Sequence, residues 1–340
     1  MKVLVTGSAG FIGGYIVDEL LSKGHEVIGL DNLSKYGEVS RSFDHEKGYT
    51  FVRGDARNTE LLIELMRDVD HVIAGAALIG GISYFHTYAY DLLATNERII
   101  AATCDAAIET LRLKRPLQKV TYISSSMVFE STDRWPSVEG DELKVAPPLS
   151  SYGFQKLSVE YFARAAWNQY KLPFTIVRPF NCVGIGEKRA LGDIEISSGN
   201  VKLAMSHVVP DLILKILKGQ SPVHILGDGS QIRHYTYGAD LARGISLAMF
   251  SPKALNEDFN LSTNQSTTVL ELVRLIWSKI KPNEEIQITN DPAFEHDVNR
   301  RIPSTDKARE ILQFEALTSL SEMLDEVIPW IRNAISEGKI

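Results

Sequence analysis

A short apolar run, Val3-Leu4-Val5, passes into Thr6-Gly7-Ser8-Ala9-Gly10-Phe11-Ile12-Gly13-Gly14, and nothing else in the 340 residues restricts the fold as strongly. Glycines at Gly7, Gly10 and Gly13 let the backbone turn sharply and let a helix approach a strand without Cβ clashes. Ile12, Ile16, Val17, Leu20 and Leu21 then recur at helical spacing until Gly24. A second strand over residues 26–30 ends at Asp31. Strand, tight turn, helix and strand make a βαβ unit, and the N-terminus of its helix can seat a pyrophosphate. The spacing Gly-x-x-Gly-x-x-Gly is a variant of the dinucleotide fingerprint. Its context, a strand before, a helix after and an acid at the end of the next strand, marks a dinucleotide site.

Asp31 can accept hydrogen bonds from both adenosine ribose hydroxyls and would repel a 2′-phosphate, which favours NAD over NADP. Capping the loop that follows is the other role open to it. Asp55, after a third strand at residues 50–52, is placed to contact the adenine, and Ala74 and Ala76 after the fourth are small enough for a chain running along a cofactor. Ala9, Phe11 and Ile12 in the turn, with Asn32, Ala56, Asn96 and Ser124, complete the expected cofactor set.

Further strands are expected at residues 72–74, 120–123 and 174–177, separated by helical stretches of which 88–113 and 151–170 are the longest. This alternation predicts an α/β protein: a Rossmann-type doubly wound parallel sheet over residues 1–180 with its ligand site at the strands' C-terminal ends. After Arg178-Pro179 the pattern changes to a glycine- and charge-bearing loop over 184–202, short strands near 223–226 and 258–261, and helices near 208–218, 237–249, 269–280 and 317–335. Residues 181–340 therefore read as a smaller α+β lobe for the substrate, with about 230–262 returning to the large domain. The formal charge of −7 withholds the positive footprint that nucleic acid or an anionic membrane face requires, so neither is an expected partner. Cys104 and Cys182 are the only cysteines, too few for a disulfide framework or a zinc site, and no apolar stretch reaches membrane-spanning length. A cytoplasmic protein without a metal is expected.

Downstream, Ser150-Ser151-Tyr152-Gly153-Phe154-Gln155-Lys156 places a lysine one helical turn after a tyrosine. Together with Thr6-Gly7-Ser8-Ala9-Gly10-Phe11-Ile12-Gly13, Asp31, Asp55, Ser124-Ser125-Ser126-Met127-Val128-Phe129, Arg178-Pro179-Phe180-Asn181 and Arg233, it carries a resemblance over nearly the whole chain. The chain resembles the extended short-chain dehydrogenase/reductase superfamily, specifically its NAD-dependent nucleotide-sugar epimerases and dehydratases. The resemblance implies a nucleoside-diphosphate sugar as substrate, and a homodimer formed through the two longest helices. It implies Ser125, Tyr152 and Lys156 as the catalytic set. A free tyrosine titrates near pH 10, so service as a base near neutrality needs a shift of about 3 units, roughly 4 kcal/mol. Lys156 is expected to provide a cation for it and to hold the nicotinamide ribose, and the oxidised nicotinamide to add a second positive charge. Tyr152 would take the sugar hydroxyl proton as hydride leaves the carbon, with Ser125 bonded to the same hydroxyl.

In the second lobe, Asn181, Arg233 and one of Arg300 or Arg301 resemble the family's nucleotide and diphosphate contacts, for which the arginine fork is suited. His234 departs from the pattern, since an aspartate usually follows that arginine. Gly80, Ser126, Met127, His207 and Val208 complete the expected substrate set.

The residues just after Ser125 separate the reactions. Family dehydratases carry Asp and Glu there; this chain has Ser126 and Met127, neither of which can remove a proton from carbon. The expected reaction is 4-epimerisation through a transient 4-keto sugar. A second likeness, in Ala76-Ala77-Leu78-Ile79-Gly80-Gly81-Ile82, Thr87-Tyr88, Asp91, Asn96 and Ser206-His207-Val208-Val209-Pro210, is to GDP-fucose synthase and GDP-mannose 3,5-epimerase. It opens an alternative, a 3,5-epimerase or a 4-keto reductase or dehydratase using His207 as the acid. Those families pair that acid with a cysteine where Met127 stands; Cys182 lies elsewhere and reads as a core or pocket-wall residue. A contact to the nucleobase or helix start is the other role for His207. A non-catalytic NAD sensor is the remaining alternative, and its mark would be a broken catalytic set. The nucleobase and sugar depend on the loops at 80–86 and 184–202.

Overall fold

The computed structural model describes residues 1–80, 87–188, 191, 196–203, 207–292 and 298–339, and of 196, 197, 202 and 203 the backbone alone. Six strands, β1 (Lys2–Thr6), β2 (Glu26–Asp31), β3 (Tyr49–Arg53), β4 (His71–Ala74), β5 (Lys119–Ile123) and β6 (Phe174–Pro179), alternate with helices α1 (Phe11–Ser22), α2 (Thr59–Leu65), α3 (Ala89–Arg112) and α4 (Ser151–Tyr170). With the edge strand Glu257–Leu261 they form one seven-stranded parallel sheet in the order Glu257–Leu261, β6, β5, β4, β1, β2, β3. This is the Rossmann-type α/β fold expected from the sequence. The order reverses between β1 and β4, and ligands of such sheets bind in the crevice beyond the strand ends there.

The sheet is stable because its inner strands are apolar on both faces. Val3, Leu4 and Val5 are fully buried, as are Val72, Ile73, Ile176 and Val177, and each such side chain contributes about 1.5–3 kcal/mol of transfer free energy. One face packs against α2, α3 and α4 around Leu62, Ala106 and Ala163; the other packs against α1 and α6 (Gly238–Phe250) around Ile16, Leu20, Leu241 and Ile245. Glu257–Leu261 pairs with β6 from Glu257↔Thr175 to Leu261↔Pro179.

A third core joins α5 (Val208–Leu217), α7 (Val269–Ile280) and α8 (Leu320–Ser336) around Ile213, Leu272, Leu324 and Ile331. Capping boxes start two of these helices: Thr268 with Glu271 on α7, and Ser319 with Glu322 on α8. Residues 184–202 are not entirely loop, since Ile196–Ser198 pairs antiparallel with Val201–Leu203. Ile288–Asp291 runs parallel to Val223–Leu226. Gly81, Ile82 and Ser206 of the second likeness lie outside the described residues, as do 81–86, 189–190 and 192–195 of the two loops. No described helix is long and apolar enough to cross a membrane.

A buried ionic cluster ties these parts together. The Arg178 guanidinium, with no solvent exposure, reaches Glu160 at 2.6 Å, Asp258 at 2.7 Å and Glu142 at 2.9 Å. Arg164 bridges Glu142 and Glu160 from the side, and Lys307 closes on Asp258 at 2.8 Å. Three carboxylates this close would repel one another, so the arginine is what lets them share the interior.

Candidate active site

The glycine turn places the N-terminus of α1 against the crevice between β1 and β4. Gly10 precedes the helix without any side-chain cap, so the dipole and first N–H groups face a cavity of about 840 Å³ that Gly7, Gly10, Phe11, Ile12 and Gly13 line. A Cβ on Gly13 would stand 2.0 Å from the Gly7 carbonyl oxygen, so the turn can close this tightly only with glycine there. Asp31 accepts from the Ala9 amide at 3.1 Å and from Leu33 at 2.8 Å. It thus caps its loop and still lines the cavity with lone pairs to spare, so the two roles open to it are compatible. Burial pushes its carboxyl up, against those amides and Arg41. Asn32, Asp55 and Ala56 line the same end, and Asp55 is held below the usual range by Arg57, whose guanidinium lies 2.6 Å away. A cradle without side chains, a helix N-terminus and a carboxylate one strand away fit a dinucleotide.

The lining that carries Ser125, Tyr152 and Lys156 is built from two elements. Ser125, at the end of β5, accepts from the Met127 amide at 3.2 Å and starts a short 3₁₀ turn, Ser126–Phe129. Facing it, Ser150 caps α4 by accepting from the Gly153 amide at 3.0 Å, which sets the first turn and aims Tyr152 and Lys156 across the cavity. Tyr152 is hydrogen-bonded to Ser125. Lys156 donates to the Ile123 carbonyl at 3.0 Å, and its Nζ lies 6.0 Å from the centroid of the Tyr152 ring. Burial pulls the Lys156 ammonium down to about 8.

Burial pushes the Tyr152 phenol up, with Ser125 and Arg301 acting the other way. The chain alone holds Tyr152 as a phenol. Added positive charge beside it would bring it toward neutrality.

Asn181, His207, Val208, Arg233 and Arg301 also line the cavity, as do Gly80, Ser126 and Met127. His207 precedes α5, and its Nδ1 lies 2.5 Å from Oε1 of the buried Glu187. Cys182 also lines the cavity, its thiol pushed up by burial and by Glu187. His234, where an aspartate was expected, is buried between the Thr263 carbonyl and the Ser266 hydroxyl, 2.9 and 2.8 Å away, while Arg233 donates to the Ile232 and Asn299 carbonyls.

Four residues of the expected set do not line this cavity. The Ala9 amide is spent on Asp31. Ala74 borders a small pocket behind Lys156, of about 20 Å³. Asn96 is buried and pins the Leu78 amide and carbonyl at 2.7 and 2.9 Å, shaping the loop after β4. Arg300 is exposed and stacks on Trp135, leaving Arg301 as the inward member of the pair. Ser124 does line it, yet its hydroxyl donates to Glu160 at 2.7 Å.

Other residues shape the site without having been anticipated. Arg41 donates to the Ala9 and Gly10 carbonyls at 3.1 and 3.0 Å, bracing the glycine turn. Tyr15 accepts from the Ile185 amide at 2.8 Å, and Thr6 accepts from the Gly75 and Ala76 amides, both at 3.1 Å. Arg41 and Glu187 sit in aperiodic loops and leave no sequence signal. Glu130 ends the stretch Ser124-Ser125-Ser126-Met127-Val128-Phe129-Glu130 and could have been found as a carboxylate shortly after Ser125.

The profile of the NAD dependent epimerase/dehydratase family matches residues 3–262. Among curated proteins, the chain is 30% identical over 332 residues to a putative UDP-glucose 4-epimerase of Methanocaldococcus jannaschii, covering 97% of this chain and 98% of that one. It is 27% identical over 346 residues to an uncharacterized UDP-glucose epimerase of Bacillus subtilis, with 97% and 98% covered. Among solved structures, UDP-glucose 4-epimerase of Thermotoga maritima with UDP-glucose superposes with a TM-score of 0.81 at 27% identity, covering 98% of this chain and 100% of that one. UDP-glucuronic acid 4-epimerase of Bacillus cereus in complex with UDP-glucuronic acid and NAD gives 0.80 at 25%, with 98% and 99% covered. The chain belongs to the NAD-dependent epimerase/dehydratase family.

Proposed function

We propose that this protein is a nucleotide-sugar 4-epimerase that works through a transient 4-keto sugar. The observation that carries the reading is the convergence of Ser125, Tyr152 and Lys156 in one cavity that Arg233 and Arg301 also line. Bound NAD supplies hydride acceptance and return. Tyr152 takes the proton of the 4-hydroxyl and later gives it back, Ser125 orients that hydroxyl, and Lys156 fixes the ribose side of the cofactor. Arg233, Arg301 and Asn181 hold the diphosphate while the keto sugar turns to present its other face. That Ser126 and Met127 carry no acidic group supports epimerisation over water elimination, as do the names of the relatives. The same reading makes the protein a cytoplasmic homodimer through α3 and α4, which expose Tyr90 and Tyr161.

One observation favours a second reading. The Glu187 carboxylate against Nδ1 of His207 fixes the ring at the edge of the cavity, and a 3,5-epimerase or 4-keto reductase would use such a histidine as its acid. Proton NMR in D₂O, with catalytic NAD and a panel of UDP-, GDP-, dTDP- and CDP-sugars, separates the two. A new C4 epimer that keeps every carbon-bound hydrogen is the expected product. Deuterium at C3 or C5 would replace the first reading with the second.

A further inference from the structure

Four carboxylates line the cavity among the described residues: Asp31, Asp55, Glu130 and Asp211. Asp31 is bonded to the Ala9 and Leu33 amides, Asp55 to Arg57, and Asp211 lies on α5 in the field of Lys215. Glu130 alone stands at the catalytic wall, immediately after the turn that Ser125 opens, and no ion pair neutralises it among the described residues.

Its position is built. One oxygen, Oε2, accepts from both the amide and the hydroxyl of Ser150, at 3.0 and 2.8 Å. Ser150 in turn caps the helix that carries Tyr152. Gly153 keeps the space for this contact, since a Cβ there would sit 2.9 Å from that same Oε2 and 2.9 Å from the Met127 carbonyl. The carboxylate is therefore held against the start of α4, and Oε1 carries no hydrogen bond from any described residue.

We infer that Glu130 determines substrate specificity, with Oε1 accepting a hydrogen bond from a hydroxyl of the sugar and its charge excluding sugars that are themselves carboxylates. A carboxylate group is an acceptor only, so it pairs with hydroxyls and amines and has nothing to offer a uronate except repulsion. That repulsion is stronger in a cavity from which bound substrate displaces water. Arg233 and Arg301 do not cancel it, because the diphosphate of the substrate takes up their charge. The inference rests on the diphosphate-sugar reading above and deepens it: the substrate class is a nucleoside-diphosphate hexose with a neutral sugar ring, not a glucuronate.

Calorimetric titration of the NAD-loaded protein with UDP-glucose and with UDP-glucuronic acid tests this. Wild-type protein is expected to bind UDP-glucose at least tenfold more tightly. Glu130→Gln is expected to reduce that ratio at least fivefold, chiefly by strengthening binding of the uronate. Ser150→Ala, which releases one bond to Oε2 but keeps the charge, is expected to retain the preference. Equal or tighter binding of the uronate by wild type, or a ratio in Glu130→Gln within twofold of wild type, overturns the assignment. So does loss of the preference in Ser150→Ala. Both affinities are read whether or not either sugar turns over, so failure of the 4-epimerase reading leaves this measurement standing.

Discussion

Arg178 and Glu160 meet through two hydrogen bonds of 2.7 and 2.6 Å, and neither side chain has any solvent exposure. The pair is a support for the site as well as for the core. Glu160 lies one helical turn after Lys156 on α4 and also accepts from Ser124, the residue before Ser125. Strand β6, helix α4 and the end of β5 are thereby tied together directly behind Ser125 and Lys156.

Arg178→Met should destabilise the protein by about 3–5 kcal/mol, because it leaves Glu160, Glu142 and Asp258 buried together with much less cationic compensation. Burial alone would raise the Asp258 carboxyl, yet Arg178 and Lys307 hold it down at about 2, so the cluster depends on those cations. Urea unfolding of both proteins at pH 7 checks the figure, and a loss under about 1 kcal/mol would mean that the carboxylates protonate at little cost.

Tyr152→Phe should lower kcat by at least about 10²–10⁴-fold, the usual contribution of a positioned acid–base group, and leave NAD affinity within a few-fold of wild type. The phenyl ring keeps its place in the first turn of α4, and Lys156 keeps its bond to the Ile123 carbonyl. Turnover of a nucleotide sugar, with NAD binding followed by fluorescence, separates the two effects. Full activity in the variant would remove Tyr152 from the mechanism.

Much of the fold was readable because its determinants are local. The turn at Gly7, Gly10 and Gly13 requires glycine for a backbone reason, and buried parallel strands must be apolar on both faces. The limits of α3 and α4 followed from periodicity to within a residue or so. What stayed hidden depends on contacts between distant segments. Nothing near residue 41 says that its guanidinium braces Ala9 and Gly10, and nothing near 187 says that its carboxylate meets His207. The burial that raises the Tyr152 phenol is hidden for a related reason: the helical spacing to Lys156 is visible in sequence, whereas burial is not.

Gly13→Ala should cost more stability than an ordinary helical Gly→Ala exchange, which is neutral or favourable. The added methyl would meet the Gly7 carbonyl oxygen at 2.0 Å and its carbon at 2.9 Å, both backbone, so the turn itself must open. Because that turn aims the N-terminus of α1, NAD affinity should fall more than tenfold. Thermal unfolding and fluorescence titration with NAD measure the two losses, and an unchanged NAD affinity would show that the cofactor does not rely on this turn.

Acidification should weaken the protein well before its carboxylates titrate. His71, on β4, is buried, with Nδ1 unpartnered and its ring edge-on to Phe250 at 5.3 Å. Burial, with Lys119 beside it, pulls its pKa down to about 4, and His25 and His234 are displaced in the same direction, chiefly by burial. An unfolded chain takes up these protons near pH 6.5, whereas folded His71 resists until about pH 4. Between those limits the unfolded state binds more protons, so stability is full above about pH 6.5 and declines as pH falls toward 4. His71→Phe keeps the ring contact and removes the proton site. Its melting temperature should therefore fall less than that of wild type between pH 7 and 4.5. An equal fall in both would assign the acid sensitivity to His25, His234 or the carboxylates instead.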